Sequence, residues 1–422
     1  MSYKALLLFL IWGILASPAQ GDKLLIYMDL EQADHLKAYG VAYRALEMGY
    51  KVEWLLNYRG GSFMTPSSQE IAQICHLRGV SFTFVGGGEI AQIYQAIEGG
   101  NAENILLEKA PSIAIYTPPN KQPWDDAVTL ALTYAQIPYT TLWDKEVLAG
   151  QLEEYDWLHL HHEDFTGQYG KFYGSYRNEL WYKQEVAINQ EMAKHLGFSK
   201  VSELKKTVAR AIKDYVARGG FLFSMCSATD TYEIGLAAEV VDIVDTPLDG
   251  DPPDPDCQAK LDYSKTFAFT KFKLITNPLV YEFSDIDISP QNGFPALGPL
   301  KDSFSLFEFS AKYDPVPTML TQDHVSVIKG FMGQTTAFKK DLIKKHVIIL
   351  GQALANPNVV KYIHGNYGRG TFTYLGGHDP EDYTHYVGDP PTNLALYKNS
   401  PGYRLILNNI LFPAAKKKER KT

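Results

Sequence analysis

The chain has 422 residues, 45% of them hydrophobic and 21% charged, with a formal net charge of −8. That length allows two or three domains with ample core, and the acidic balance argues against nucleic acid as a partner. Aromatic content is high, at 13% with 27 Tyr.

Lys4 precedes an apolar run from Ala5 to Ala16, and Ser17-Pro18-Ala19-Gln20-Gly21 follows with small residues. This is the pattern of a secretory signal peptide over residues 1–21, and the run is short for a membrane span. It predicts an exported protein, periplasmic or extracellular, with no membrane attachment after cleavage. Of the three cysteines, Cys75, Cys226 and Cys257, at least one has no partner within the chain. If Cys75 and Cys257 pair, Cys226 is the free thiol.

Residues 22–107 read as a small α/β unit. Lys23 to Met28, Lys51 to Leu56 and Ser81 to Val85 are strand-like, with helical spacing over Glu31 to Met48 and Ser68 to Arg78. Alternating strands and helices predict a parallel sheet. Ligands of such sheets sit at strand carboxyl ends, which puts Asp29, Glu31, His35 and the loop Arg59-Gly60-Gly61-Ser62 on one rim. Arg59 is a candidate for binding a phosphate or carboxylate. Gly86-Gly87-Gly88 lacks the wider phosphate-binding fingerprint and reads as a plain turn.

A second α/β series begins near residue 111. Ser112 to Tyr116, Pro138 to Leu142 and Tyr155 to Leu160 read as strands, and Trp124 to Gln136 as a helix with Asp125-Asp126 near its amino end. The strand at Leu160 runs into His161-His162-Glu163-Asp164, followed by an aromatic loop with Tyr169, Phe172, Tyr173 and Tyr176. Helical patterns reach Leu196 and then run from Val201 to Arg218. Gly219-Gly220 launches a buried strand, Phe221 onward, which ends in Ser224-Met225-Cys226-Ser227-Ala228. Small residues two before and two after a cysteine suit a sharp strand-to-helix elbow, with the next helix expected over Tyr232 to Val244.

The stretch Asp249 to Asp256 is acidic and Pro-rich, lacks EF-hand spacing, and reads as a solvated loop. Residues 266 to 375 are mostly strand-like: Thr266 to Ile275, Ser305 to Lys312, Thr318 to Leu320, Val325 to Gly330, Val347 to Leu350 and Thr371 to Leu375. Tyr367-Gly368-Arg369-Gly370 is a hairpin-type turn. The last strand ends in Gly376-Gly377-His378-Asp379, with Glu381, Asp382 and His385 close behind, and Tyr403 to Leu411 is a closing helix.

Three polar clusters thus fall at strand ends: His159 to Asp164, Cys226, and His378 to His385. A cysteine beside a histidine oriented by a carboxylate is the minimum for thiol catalysis, because the imidazole keeps the sulfur as thiolate.

The order strand, helix, strand, His-rich loop, Cys elbow and terminal Gly-Gly-His loop resembles the class I glutamine amidotransferase-like fold. Asn277-Pro278-Leu279, the stretch from Val359-Val360-Lys361-Tyr362 to Gly370-Thr371-Phe372, and Leu375-Gly376-Gly377-His378 resemble its ThuA-like branch. The chain also resembles an exported bacterial family often labelled asparagine synthetase B. The resemblance implies an α/β fold of flavodoxin-like parallel sheets with helices on both faces. An N-terminal βαβ unit over 22–107 would precede an amidotransferase-like domain over 108–415, with a β-rich insertion over 249–345 and a basic tail over 416–422. By resemblance Cys226 matches the nucleophile, His378 the base and Glu381 the carboxylate, while His161, His162, Glu163 and Arg59 are expected to bind substrate.

The chain departs from that pattern at named positions. Amidotransferases carry the acid two residues after the histidine; here Asp379 follows at one and Glu381 at three, and His161-His162-Glu163 replaces a glycine-rich oxyanion loop. Asparagine synthesis needs a cysteine directly after the initiator and an S-G-G-x-D-S-type pyrophosphate loop; position 2 is Ser and that loop is missing. The expected activity is therefore hydrolysis of an amide or related C–N bond by a thiol, with no cofactor and no assigned metal. The alternatives are a metal-dependent hydrolase built on the histidine clusters and a non-catalytic module. The expected partner is a small-molecule or carbohydrate ligand.

Overall fold

The computed structural model describes residues 22–119, 126–314, 318–384 and 386–416. The expected signal peptide, Trp124, Asp125, His385 and the tail beyond Lys416 lie outside the described residues. The fold is α/β, with two sheets and helices between and around them.

The first sheet holds β1 (Lys23–Ile26), β2 (Val52–Leu56), β3 (Ser62–Pro66), β4 (Thr83–Val85) and β5 (Glu103–Leu107) in the order β4-β1-β3-β2-β5. Helices α1 (His35–Glu47), α2 (Gln69–Arg78) and α3 (Gly87–Gly99) connect them. Every pairing in this sheet is antiparallel, which corrects the parallel expectation for the N-terminal unit. The cause is a tight reversal after β2. Asn57, Arg59, Gly60 and Gly61 all take positive φ, at 59°, 46°, 74° and 85°, and fold the chain straight back into a hairpin. β1 and β2 still run the same way, as a crossover through α1 requires, but β3 is inserted between them. Gly86 caps α3, with the Glu89 carboxylate accepting its N–H, so the triple glycine opens a helix rather than a plain turn.

The second sheet begins with β6 (Ile113–Tyr116), β7 (Thr140–Leu142), β8 (Trp157–Leu160) and β9 (Phe221–Met225). It continues with β10 (Ser303–Leu306), β11 (Val327–Lys329), β12 (Phe338–Lys339), β13 (Ile348–Ala353), β14 (Val359–Tyr367) and β15 (Gly370–Leu375). The order is β11-β10-β13-β14-β15-β9-β8-β6-β7, with β12 beside β14. The block β7-β6-β8-β9-β15 is parallel throughout. Numbered within that block it reads 2-1-3-4-5, the flavodoxin-like order, whose ligand crevice opens between its first and third strands. The remaining strands extend it antiparallel from β15.

Helices α4 (Ala127–Ala135), α5 (Asp144–Leu148), α6 (Tyr173–Tyr176), α7 (Leu180–His195), α8 (Val201–Arg218), α9 (Ala228–Ala237), α10 (Thr246–Asp249) and α11 (Pro401–Leu411) complete the fold. Helix α9 starts directly after Ser227, earlier than the sequence pattern suggests, and is buried on all sides. Between residues 249 and 345 the described residues hold only three short strands. Thr266 to Ile275 forms isolated bridges instead of a ladder. Its amides have another acceptor: the buried Glu233 carboxylate takes the N–H groups of Phe267, Ala268 and Phe269. Thr318–Thr321 is a 3-10 turn rather than a strand.

One apolar core joins both sheets. It contains Leu24, Ile26 and Trp54 from the first sheet, Leu36 and Val41 of α1, Val128 and Leu132 of α4, Leu407 and Ile410 of α11, and Trp157 and Phe223 from the second. A second core lies on the far face of the large sheet, with Leu158, Leu222, Val208, Ile212 and Ile234. A fully buried guanidinium, Arg404 of α11, pins the layers together. It donates to the carbonyls of Met28 (3.0 Å) and Gly60 (2.8 Å) and lies 3.8 Å from the carboxylate of Asp323.

Two buried histidines bear on stability. Burial, with Arg404 and His324 adding to it, lowers His35 from 6.5 to about 3, and burial lowers His364 to about 3. A folded value below the unfolded one means the fold holds these rings neutral. Their stabilisation is complete above the unfolded value and is lost as pH falls through the window toward the folded one. Within that window each step of one in pH withdraws about 1.4 kcal/mol, because the unfolded ring is already protonated and the folded ring is not. Replacing His364 by Asn should therefore cost about 2 kcal/mol less near pH 5 than near pH 7.5. Urea unfolding at the two pH values reads this, and equal costs would remove the assignment.

Candidate functional site

Strand β8 carries His159 and delivers His161 and His162 at its carboxyl end. His159 lies between Trp157 and Phe223, with ring centroids at 5.9 and 5.5 Å, and its Nδ1 donates to the Phe223 carbonyl (3.0 Å). His159 Nε2 is 3.3 Å from His161 Nδ1. The same His161 nitrogen is 3.3 Å from Asp126 Oδ1, which is 3.5 Å from His159 Nε2. Asp126 caps α4, accepting the N–H of Val128 at 2.7 Å. Burial would raise this carboxyl, but the imidazoles of His161, His159 and His162 outweigh it and hold the group well below the carboxylate range.

His378 arrives from the loop after β15. Its N–H donates to Met332 O (2.7 Å), and the 331–336 segment packs so closely that a Cβ at Gly333 would meet His378 N at 2.8 Å. The His378 ring meets His161 edge-on with centroids at 4.5 Å and stacks on His162 at 6.1 Å. One ring nitrogen from each of His161, His162 and His378 lies within 4.8 Å of the others. A tetrahedral zinc ion at about 2.0–2.1 Å from each nitrogen needs them roughly 3.4 Å apart, so the rings would draw inward to share one ion.

Glu163 completes this edge. Its Oε2 accepts the His161 N–H (2.7 Å), and burial, reinforced by the charge of Asp126, pushes its carboxyl up to about 8. A small cleft of about 50 Å³ touches the cluster at His162 and is lined also by Pro118, Trp143, Glu163, Tyr169 and Phe172. The aromatic loop after β8 therefore forms a wall of this cleft.

Cys226 forms the expected elbow between β9 and α9, with φ at +50°. It is buried, and its Sγ accepts the N–H of Gln334 at 3.4 Å, with the amides of Ser227 and Thr335 assisting. Burial outweighs these donors and pushes the thiol up to about 11. The sulfur is not a member of the histidine set.

The structure thus gathers His161, His162, Glu163 and His378 at one edge above the Cys226 turn. It sends two expected site residues elsewhere. The Glu381 carboxyl hydrogen-bonds Ser400, because the turn from Asp379 to Asp382 directs it to the start of α11. Asp379 is committed to Tyr403 Oη (2.9 Å) and the Glu381 amide (2.9 Å). Arg59 lies in the β2–β3 turn, where Asp29 and Glu31 each hold it at 2.6 Å. Asp126 was not singled out as a site residue by sequence reasoning. Its signal is positional: it heads the helix after the first parallel strand, at the crevice of the 2-1-3-4-5 order.

A further carboxylate set, Asp242, Asp249 and Asp251, surrounds the Lys200 ammonium at 2.6, 3.1 and 2.5 Å, so this acidic stretch is an ion-pair cluster. All three cysteines are free thiols. Burial pushes Cys75 up to about 12, whereas Cys257 is partly exposed. Iodoacetamide near pH 8 should accordingly label Cys257 in the native chain, with Cys75 and Cys226 labelled only in denaturant. Rapid native labelling of Cys226, mapped by mass spectrometry, would show a more reactive thiol than its surroundings dictate.

No family model matches this sequence, and no curated protein matches it. Among solved structures, a cytoplasmic protein, STM1381, from Salmonella typhimurium LT2 is similar over 72% of this chain and 100% of its own, at 12% identity and a TM-score of 0.37. A second cytoplasmic protein, STM3548, from Salmonella typhimurium covers 73% and 100% at 10% identity and a TM-score of 0.36. A catalytic mutant of Gan42B, a GH42 β-galactosidase from G. stearothermophilus, matches 63% of this chain and 27% of its own, at 11% identity and a TM-score of 0.25. Superpositions this loose carry no argument about fold or activity.

Proposed function

We propose that the chain is a metal-dependent hydrolase of small molecules, with zinc held by His161, His162 and His378. The observation that carries this reading is the convergence of one nitrogen from each of three histidines within 4.8 Å, beside a small cleft. Three neutral imidazoles suit zinc and leave a fourth position for water, whose pKa the ion lowers to about 7. Zinc held there would supply an activated water for attack on an amide or ester carbonyl. Glu163, on the cleft wall and protonated at neutral pH, would give its proton to the departing nitrogen or oxygen as the C–N or C–O bond breaks, and would regain one from that water. The products are the carboxylic acid and the amine or alcohol.

The thiol reading retains two supports, the left-handed elbow at Cys226 and the backbone N–H groups around its sulfur. A thiol near 11 is protonated at neutral pH, and Glu381 is turned to Ser400, so the metal reading is preferred. The amidotransferase-like, ThuA-like resemblance belongs to this proposal as its scaffold: a cysteine elbow after the fourth parallel strand and a histidine after the fifth. Export of the chain is likewise part of the proposal and rests on the pattern of residues 1–21.

Reconstituted protein should hold about one zinc ion per chain by elemental analysis, as a three-histidine centre predicts. His162→Gln should weaken zinc binding at least about 10-fold and abolish turnover of activated amides and esters. Cys226→Ala should keep both. A chain that takes up no zinc would end the metal reading, and a Cys226→Ala variant that keeps zinc but loses turnover would restore the thiol.

A further inference from the structure

His378 rides on the segment 376–383 that follows β15, and backbone bonds grip that segment along its length. The Gly376 N–H donates to Lys361 O (2.8 Å), the His378 N–H to Met332 O (2.7 Å), and the Met332 N–H to Tyr383 O (3.2 Å). Residues 331–332 thus lie between the two ends of the segment that carries His378. The packing is close: a Cβ at Gly377 would meet Phe331 O at 2.6 Å.

A buried ion pair holds residues 331–332 in turn. Lys361 of β14 is fully buried, and its ammonium donates to Phe331 O (2.9 Å), lies over the Phe331 ring at 5.4 Å and sits 3.5 Å from Asp302 Oδ2. Asp302, immediately before β10, is buried as well. Its backbone carbonyl accepts the Gly330 N–H (3.0 Å), and its carboxylate packs where a Cβ at Gly330 would meet it at 2.2 Å. The Tyr383 hydroxyl, which donates to Leu297 O (2.7 Å), is 3.4 Å from the same carboxylate oxygen. Lys361 therefore holds the near end of the His378 segment through its carbonyl and the packed segment through its ammonium, while Asp302 stands beside the far end. A pair of this kind is weak evidence for stability, because neutral residues of like volume often serve as well.

We infer that the Lys361–Asp302 pair is the positioning element that seats His378 against His161 and His162, by fixing Phe331 and through it Met332. The purpose of that seating rests on the metal reading, but the seating itself is a property of the metal-free chain.

The test separates seating from stability. Removing one partner leaves the other buried and unpaired, so the variant is Lys361→Met together with Asp302→Asn. Its urea midpoint should stay near that of wild type. In the metal-free full chain, the His378 amide should exchange with deuterium at least about 10-fold faster, while the Ala228 amide, bonded to His161 O, keeps its rate. Zinc, titrated in competition with a chelator, should bind roughly 10–100-fold more weakly, the loss typical when the support of a metal ligand is removed. Should that chain not fold, Asp302→Asn alone leaves the ammonium an amide oxygen to bond, and both readouts should move the same way by less. Exchange and zinc affinity as in wild type in a folded variant would overturn the inference, as would a change in only one of them. Wild-type protein that takes up no zinc would end the metal reading, and the exchange of His378 alone would then decide the seating.

Discussion

Two backbone hydrogen bonds at one elbow assemble the site. Cys226, in a left-handed conformation, ends β9 and turns the chain into α9. Its N–H donates to Gly377 O (3.1 Å), and two residues on the Ala228 N–H donates to His161 O (3.0 Å). The turn thus binds the loop after β15 on one side and the loop after β8 on the other. His161 and His378 follow separate strands, β8 and β15, on either side of β9. A non-glycine residue at positive φ is costly, and it persists where surrounding structure overdetermines it. Here that structure is the pair of loops carrying the histidines. Under this view the cysteine's position has architectural value whatever its sulfur does.

The electrostatics around this turn divide into two regions. On the histidine side, Asp126 is kept ionised by imidazoles. Beneath the elbow, burial favours the neutral form of the acids: it pushes Asp230 up to about 7, and raises Asp287 well above its ordinary value. Hydrogen bonds from Ser284 and Thr336 moderate but do not reverse this. An anionic thiolate placed beside such groups gains little. The imidazole edge, with a charged carboxylate behind it, is where a cation is best accommodated.

Much of the scaffold was legible because its strands are short apolar runs between turn residues. Ile113–Tyr116, Trp157–Leu160 and Phe221–Met225 are fully or nearly buried, and Gly219-Gly220 marks where the last begins. The α/β class follows from them. The pairing directions of the first sheet do not, because they depend on a short reversal that hides β3 directly behind two glycines. Thr266 to Ile275 looks like a strand by composition, yet the Glu233 carboxylate takes its amides, and that carboxylate comes from a distant helix. The histidine runs were visible as clusters, whereas the part of Asp126 was not. Nothing in its local sequence distinguishes a helix-capping aspartate from one that also faces two imidazoles. Glu381 shows the opposite failure: a suggestive distance along the chain is undone by one tight turn.

The Arg404 guanidinium carries a consequence for how the molecule comes to exist. Its acceptors on Met28 and Gly60 lie 376 and 344 residues earlier in the chain. The Gly60 carbonyl takes this bond from α11, whereas the Met28 carbonyl is also met by His35 Nε2 at 3.0 Å. Contacts of such long sequence separation make folding slow, since a very large loop must close before any reward is collected. Arg404 fastens α11 onto the first loops of the chain like a clasp.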